Sequence, residues 1–418
     1  MAGALQFAAF FVWIVLIVRP ADVPDPFALG LPLSLTALCL LTAAIVWIPE
    51  LVAGRWPSTA IDRALALYFV VVVLTSIDSI PQPTTMTAFL QLLGNVGMFY
   101  ATIVLARKTP RLGDGILLLL VASIALLLLM ALAYHAEQGL QTRPTVYPVP
   151  EGWSGYPELG MLAVMQFGLL VAGFQTASSA PMVLVTASLI VMNLVELVFL
   201  YSRSSWLTVV LLTCAAAGLM VRRRQLTRLL GAAGVVVVVG SVLFLANPTF
   251  RYLMATMVGE GAAPAWARNG FVSRVAAPGT RIELWQKTLR MIADHPVRGV
   301  GLGNFQDVFE SEYNPEPNDD SRRGVHAHNL WLHQFAELGV LGGTVYVVLW
   351  VRIVALCWRS ARARPAFLSV GLLLSILGIL GSNLTTNMFF LTGGASGRLQ
   401  SLTWMLFGLA AAMSQPSD

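Results

Sequence analysis

The feature that most constrains this 418-residue chain is a recurrence of apolar runs, each long enough to cross a bilayer as a helix. About twelve can be drawn, near 4–18, 28–48, 62–77, 88–106, 115–134, 158–174, 180–200, 205–221, 229–246, 331–357, 366–387 and 398–413. Strands are excluded because the runs are continuous rather than alternating, and an open sheet leaves its backbone unsatisfied in lipid. With 57% hydrophobic and 11% charged residues and a mean hydropathy of +0.74, a soluble globule is excluded too. The expectation is an all-α integral membrane protein. The first run ends at Arg19-Pro20 without a small-residue cleavage pattern and reads as a retained helix.

Arginine and lysine give the orientation. With the N-terminus in the cytoplasm, the short inner connections carry thirteen cations, Arg222–Arg224 among them. The short outer connections carry only Arg19, Arg143, Arg203 and Arg398. The positive-inside rule then places both termini in the cytoplasm and the longest polar segment outside. The net charge of +5 follows from this anchoring and implies no nucleic acid partner.

Three parts follow: residues 1–246 with nine spans, an outer polar segment at 247–330, and residues 331–418 with three more spans. Within the polar segment, 280–293 reads as an amphipathic helix, with Ile282, Trp285, Leu289 and Ile292 at helical spacing. Thr280 and Glu283 have the spacing of a capping box. Gly299, Gly301 and Gly303 then make a tight connection, and 311–324 reads as an exposed loop. A second outer stretch, 134–157, rich in proline, glycine and aromatics, also reads as a loop, one that lies over a cavity. Cys39, Cys214 and Cys357 fall within or at the end of apolar runs, so no disulfide or thiolate metal site is expected in the large outer loop.

A long polar excursion gains nothing structurally in a bilayer protein, which makes it the place to look for chemistry. Arg203, in the turn Tyr201-Ser202-Arg203-Ser204-Ser205, is flanked by three hydroxyls on the side opposite the anchoring cations. Its plain alternative is a snorkelling anchor. Arg281 opens the amphipathic helix at the end where a cation is unfavourable unless an anion joins it. Two arginines on one membrane face suit a pyrophosphate clamp. His326 and His328 precede Asn329 at the start of a span, where a neutral imidazole serves as a base or simply bonds the helix start. Their i,i+2 spacing does not suit a helical zinc pair, which wants i,i+4, so no metal and no cofactor is expected. Glu196 is the one carboxylate well inside a span, seven residues before Arg203, and reads as support for that arginine. His333, further along the next span, reads as structural, and Asp319-Asp320 as a solvated turn.

Three stretches carry a resemblance: YSRSSW at 201–206, RIELWQKTLRMIADHPVRGVGLGNF at 281–305, and HAHNLWLHQFAELGVLG at 326–342. Together they resemble the O-antigen ligase and polymerase superfamily of Wzy_C-type membrane glycosyltransferases. The resemblance implies a GT-C-like fold of about twelve spans, with a large, partly helical periplasmic loop between the ninth and tenth. It implies transfer of a glycan from an undecaprenyl-pyrophosphate-linked donor to an acceptor hydroxyl at the periplasmic face of the bacterial inner membrane, without metal or nucleotide sugar. Arg203 and Arg281 then match donor-pyrophosphate positions, and His328 matches the proposed base, with His326, Asn329 and Glu196 in support. The ligase reading names lipid A-core as acceptor and membrane lipids as surroundings. A polymerase and a protein O-oligosaccharyltransferase share the donor motifs, and a polyprenyl-glycan transporter would share the arginines but not need His328.

Overall fold

The computed structural model describes residues 2–18, 35–78, 83–109, 111–138, 156–222, 226–257, 280–314, 326–384 and 394–413. Apolar runs become helices because only internal hydrogen bonding satisfies a backbone removed from water. The first nine are α1 (Ala2–Val18), α2 (Leu35–Val52), α3 (Asp62–Ser76), α4 (Pro83–Lys108), α5 (Leu112–Gln138), α6 (Tyr156–Thr176), α7 (Ala180–Phe199), α8 (Arg203–Arg222) and α9 (Leu226–Ala246). Then come α10 (Pro248–Met257), α11 (Thr280–Asp294), α12 (Phe305–Val308), α13 (Leu330–Ala363), α14 (Phe367–Ser382) and α15 (Gly394–Ala412). No strand occurs among the described residues.

Among the described residues, six helices are long and apolar enough to cross a membrane: α4 to α8 and α13. Three others are apolar but shorter, within α1, α2 and α14. Run nine does not end cleanly at the polar segment: the chain bends by 104° at Asn247 and continues as α10. Asn247 makes the corner, its Oδ1 accepting from the Phe250 amide at 2.9 Å and its Nδ2 donating to the Tyr201 hydroxyl at 3.0 Å. The loop expected at 134–157 is shortened from both sides, since α5 continues to Gln138 and α6 starts at Tyr156; its remainder lies outside the described residues, as do Asp319-Asp320. Residues 309–313, partly assigned to an exposed loop, form a single π-helical turn.

α6 packs on α14 and α7, α4 on α15 and α2, and α13 on α3. Close approach needs small residues: a Cβ on Gly168 of α6 would lie 2.9 Å from backbone atoms of Leu374 and Ser375 in α14. Buried polar side chains join the helices. Asn95 of α4 donates to Gln400 at 3.1 Å and accepts from Ser401 at 2.7 Å, both on α15. Asn193 of α7 donates to Gln166 of α6 at 2.7 Å.

The long tenth run is broken rather than straight. Gly339 stands at φ 66°, ψ −176° inside α13. The break frees backbone groups, and the 296–301 segment takes them. Val340 N donates to Pro296 O at 2.8 Å, Val300 N to Ala336 O at 2.9 Å and Gly301 N to Glu337 O at 2.9 Å. A Cβ on Gly339 would fall 2.3 Å from the Val297 carbonyl oxygen. Gly299, Gly301 and Gly303 all hold positive φ, as the tight connection requires. Leu302 N donates to Ser76 Oγ at 3.1 Å, and Asn304 Oδ1 accepts from Thr84 and Thr85 on α4. The polar segment is thereby anchored to the ends of α3 and α4.

Candidate active site

Residues 200–205 close the corner between α7 and α8. Tyr201 is fully buried at φ +49°, and its hydroxyl is pushed up in pKa by burial. The three serines fix this turn internally: Ser205 donates to Ser202 at 2.9 Å, and Ser202 and Ser204 oxygens are 3.1 Å apart. Gly160 of α6 lies against them, its Cβ position 2.7 Å from Ser205 Oγ. Arg203 is the part-exposed first residue of α8. The hydroxyls that flank Arg203 therefore hold the turn that carries it.

Glu196 is buried, and its carboxylate has no hydrogen-bond partner among the described residues. The expected shared helical face with Arg203 does not exist, because α7 ends at Phe199 and the left-handed Tyr201 redirects the chain. Glu196 forms no ion pair with Arg203 there.

The second half of the site gathers around α11. Trp285 donates its indole N–H to Ala327 O at 2.9 Å, drawing α11 to the segment ahead of α13. Leu284, Met291, Phe305, Phe309, Ala327 and Ala336 form the apolar core beneath. The rings of His326 and His328 lie 4.5 Å apart between centroids. His328 has a left-handed backbone, φ +45°, and its buried Nδ1 has no hydrogen-bond partner among the described residues. Burial, and then the positive charge of Arg281, lower its pKa to about 4. At neutral pH the imidazole is uncharged.

Asn329 caps α13, its Oδ1 accepting from Leu332 N at 3.0 Å. Its Nδ2 donates to Leu384 O at 2.9 Å, and Leu330 N donates to Asn383 O at 2.9 Å. These bonds tie the histidine segment to the end of α14. The start of α8 meets the same end, since Gly381 lies with its Cβ position 2.8 Å from Thr208 Cγ2. Thr208 is five residues, about 7.5 Å of helix, beyond Arg203. Arg281, His326, His328 and Asn329 thus form one group, tied to the end of α14, against which α8, the helix opened by Arg203, also packs.

Two residues outside the expected set hold the arrangement. Glu337 is buried, and its Oε1 accepts from Gly303 N at 3.1 Å and Phe305 N at 3.5 Å. His333 sits over Phe305, rings 4.5 Å apart, with Nε2 3.3 Å from Glu337 Oε1. That contact lacks hydrogen-bond alignment. Glu196 is therefore not the one carboxylate inside a span: Glu337 stands in the run 331–357, two residues before a glycine, and is buried.

Among the described residues, no three histidine, cysteine or acidic side chains converge as a metal-binding group. A search of curated proteins returns no match. The family model described as O-antigen ligase matches residues 187–347, a range containing Glu196, Arg203, Trp285, Glu337 and the whole Arg281–His328 group. That match is consistent with the O-antigen ligase and polymerase superfamily.

Proposed function

We propose that this protein is an O-antigen ligase. It would move a glycan from undecaprenyl pyrophosphate to a sugar hydroxyl of lipid A-core at the periplasmic face of the bacterial inner membrane. The observation that carries this reading is the pairing of a neutral His328 with the Arg281 guanidinium inside the matched range. A pyrophosphate is a good leaving group, so catalysis chiefly needs charge stabilisation and a well-aimed nucleophile.

In this mechanism the acceptor hydroxyl oxygen forms a bond to the anomeric carbon of the donor while that carbon's bond to the phosphate oxygen breaks. His328 takes the hydroxyl proton. Arg203 and Arg281 bind the pyrophosphate and meet the charge that develops as it leaves. Displacement in one step inverts the anomeric centre, and no cofactor or metal is called on. In the resting protein, burial and then Arg281 keep the imidazole weakly basic. A pyrophosphate arriving at Arg281 offsets that cation, so His328 becomes a better base when donor is present.

The architecture we assign is GT-C-like, with twelve spans, both termini cytoplasmic and residues 247–330 forming the periplasmic catalytic loop. The bonds of Leu302 to Ser76 at the end of α3, of Asn247 to the Tyr201 turn, and of Asn329 to Leu384 beyond α14 support one common outer face.

The test is reconstitution in liposomes with undecaprenyl-pyrophosphate glycan, with and without lipid A-core. Glycan on lipid A-core, formed only when that acceptor is present, is the expected product. Longer lipid-linked glycan without it would make the protein a polymerase, and glycan translocation without transfer would make it a transporter.

A further inference from the structure

Trp285 lies one helical turn beyond Arg281, at i,i+4 on α11, so both face the same neighbourhood. Its ring packs against the small apolar core beneath the site, and its one polar atom donates to Ala327 O at 2.9 Å. Ala327 is fully buried, leaving that carbonyl no solvent to bond with. The carbonyl belongs to the peptide unit joining Ala327 to His328, and the next rotatable bond along the chain is the one set at φ +45°. A left-handed backbone on a non-glycine residue persists only where its surroundings over-determine it. Asn329 fixes the chain on the far side of His328 through α13 and Leu384. On the near side the indole bond is one observed restraint, beside the His326 ring contact.

We infer that Trp285 is a positioning residue for His328, its indole N–H orienting the Ala327–His328 peptide so that the imidazole is presented beside Arg281. This rests on the reading of His328 as the base. The same bond fixes the spacing between the donor-binding helix and the base, because Arg281 and Trp285 ride on one rigid turn.

The experiment uses the full-length reconstituted protein in two altered forms. Trp285→Phe removes the N–H but keeps an aromatic ring. Replacement by 3-benzothienylalanine keeps the ring size and puts sulfur where the N–H was. The expected result in both is a fall in kcat of about 10- to 100-fold, as for a displaced catalytic group, with donor KM and thermal unfolding little changed. Where His328→Gln itself loses activity, unchanged kcat in both Trp285 forms, or a loss of activity that only tracks a loss of folded protein, would overturn the inference.

A spectroscopic arm separates this from failure of the base assignment. The imidazole resonance of His328, identified by its disappearance in His328→Gln, is compared between wild type and both altered forms. Its titration is read with Arg281 and His326, the charged and titratable neighbours of His328, left intact. A resonance that moves supports positioning even if His328→Gln transfers glycan normally, which would sink the base reading alone. A resonance that stays put in both forms overturns positioning whatever the activity.

Discussion

The Arg281 guanidinium acts on the His328 imidazole, adding to burial to hold its pKa at about 4. The sign is simple: a nearby cation disfavours imidazolium, so removing it lets the ring protonate at higher pH. Arg281→Gln should therefore raise the His328 pKa from about 4 toward the ordinary histidine value without reaching it, because burial is the larger cause and remains. The acidic limb of kcat/KM against pH should move upward, and its maximum should drop through weaker donor binding. A limb that does not move would show that the two groups are uncoupled.

Arginine at 203 and 281 should not be replaceable by lysine. A guanidinium grips phosphate through two parallel N–H bonds, whereas an ammonium offers a point charge. Losing one charge-assisted hydrogen bond costs about 1.5–3 kcal/mol, or about 10- to 100-fold. Arg281→Lys and Arg203→Lys should show that loss in donor KM, measured with acceptor saturating. Full activity in Arg281→Lys would remove the bidentate clamp from the mechanism.

Glu337 supports the site through the backbone. Its Oε1 receives the amides of Gly303 and Phe305 in a buried setting. Glu337→Ala strands those donors and should destabilise the protein by about 1–3 kcal/mol. Glu337→Gln keeps a carbonyl oxygen there and should retain most of the stability. Thermal unfolding in detergent separates the two, and equal losses would mean that the carboxylate charge matters rather than its acceptor role.

Gly339 cannot carry a side chain. At φ 66° and ψ −176°, a region essentially confined to glycine, any L-residue pays about 1–3 kcal/mol in backbone strain, and its Cβ would collide with the Val297 carbonyl. Gly339→Ala should lower thermal stability and loosen the 296–301 segment, read as faster amide exchange at Val300 and Gly301. Unchanged exchange there would mean that the break does not depend on glycine.

Apolar run length made the helical build and the six candidate membrane helices among the described residues legible in the sequence, and α11 was legible from the spacing of Ile282, Trp285, Leu289 and Ile292. The bend at Asn247 and the break at Gly339 were not. Hydropathy is insensitive to a single backbone reversal, and both features are stabilised by partners distant in sequence, Tyr201 and the 296–301 segment. Glu196 was misread for a related reason. A seven-residue separation implies a shared face only if the helix continues, and Tyr201 ends that continuity. The grouping of Arg281 with His328 could be expected from residue chemistry and family resemblance, but Trp285 read only as part of an apolar stripe, with no sign of its bond to Ala327.

The most direct test of the central claim is single-turnover transfer by His328→Gln against wild type, with donor binding measured on the same preparations. Loss of a general base predicts a transfer rate lower by about 10²–10⁴-fold, with donor affinity unchanged within a few-fold. A His328→Gln protein that transfers glycan at the wild-type rate would contradict the account.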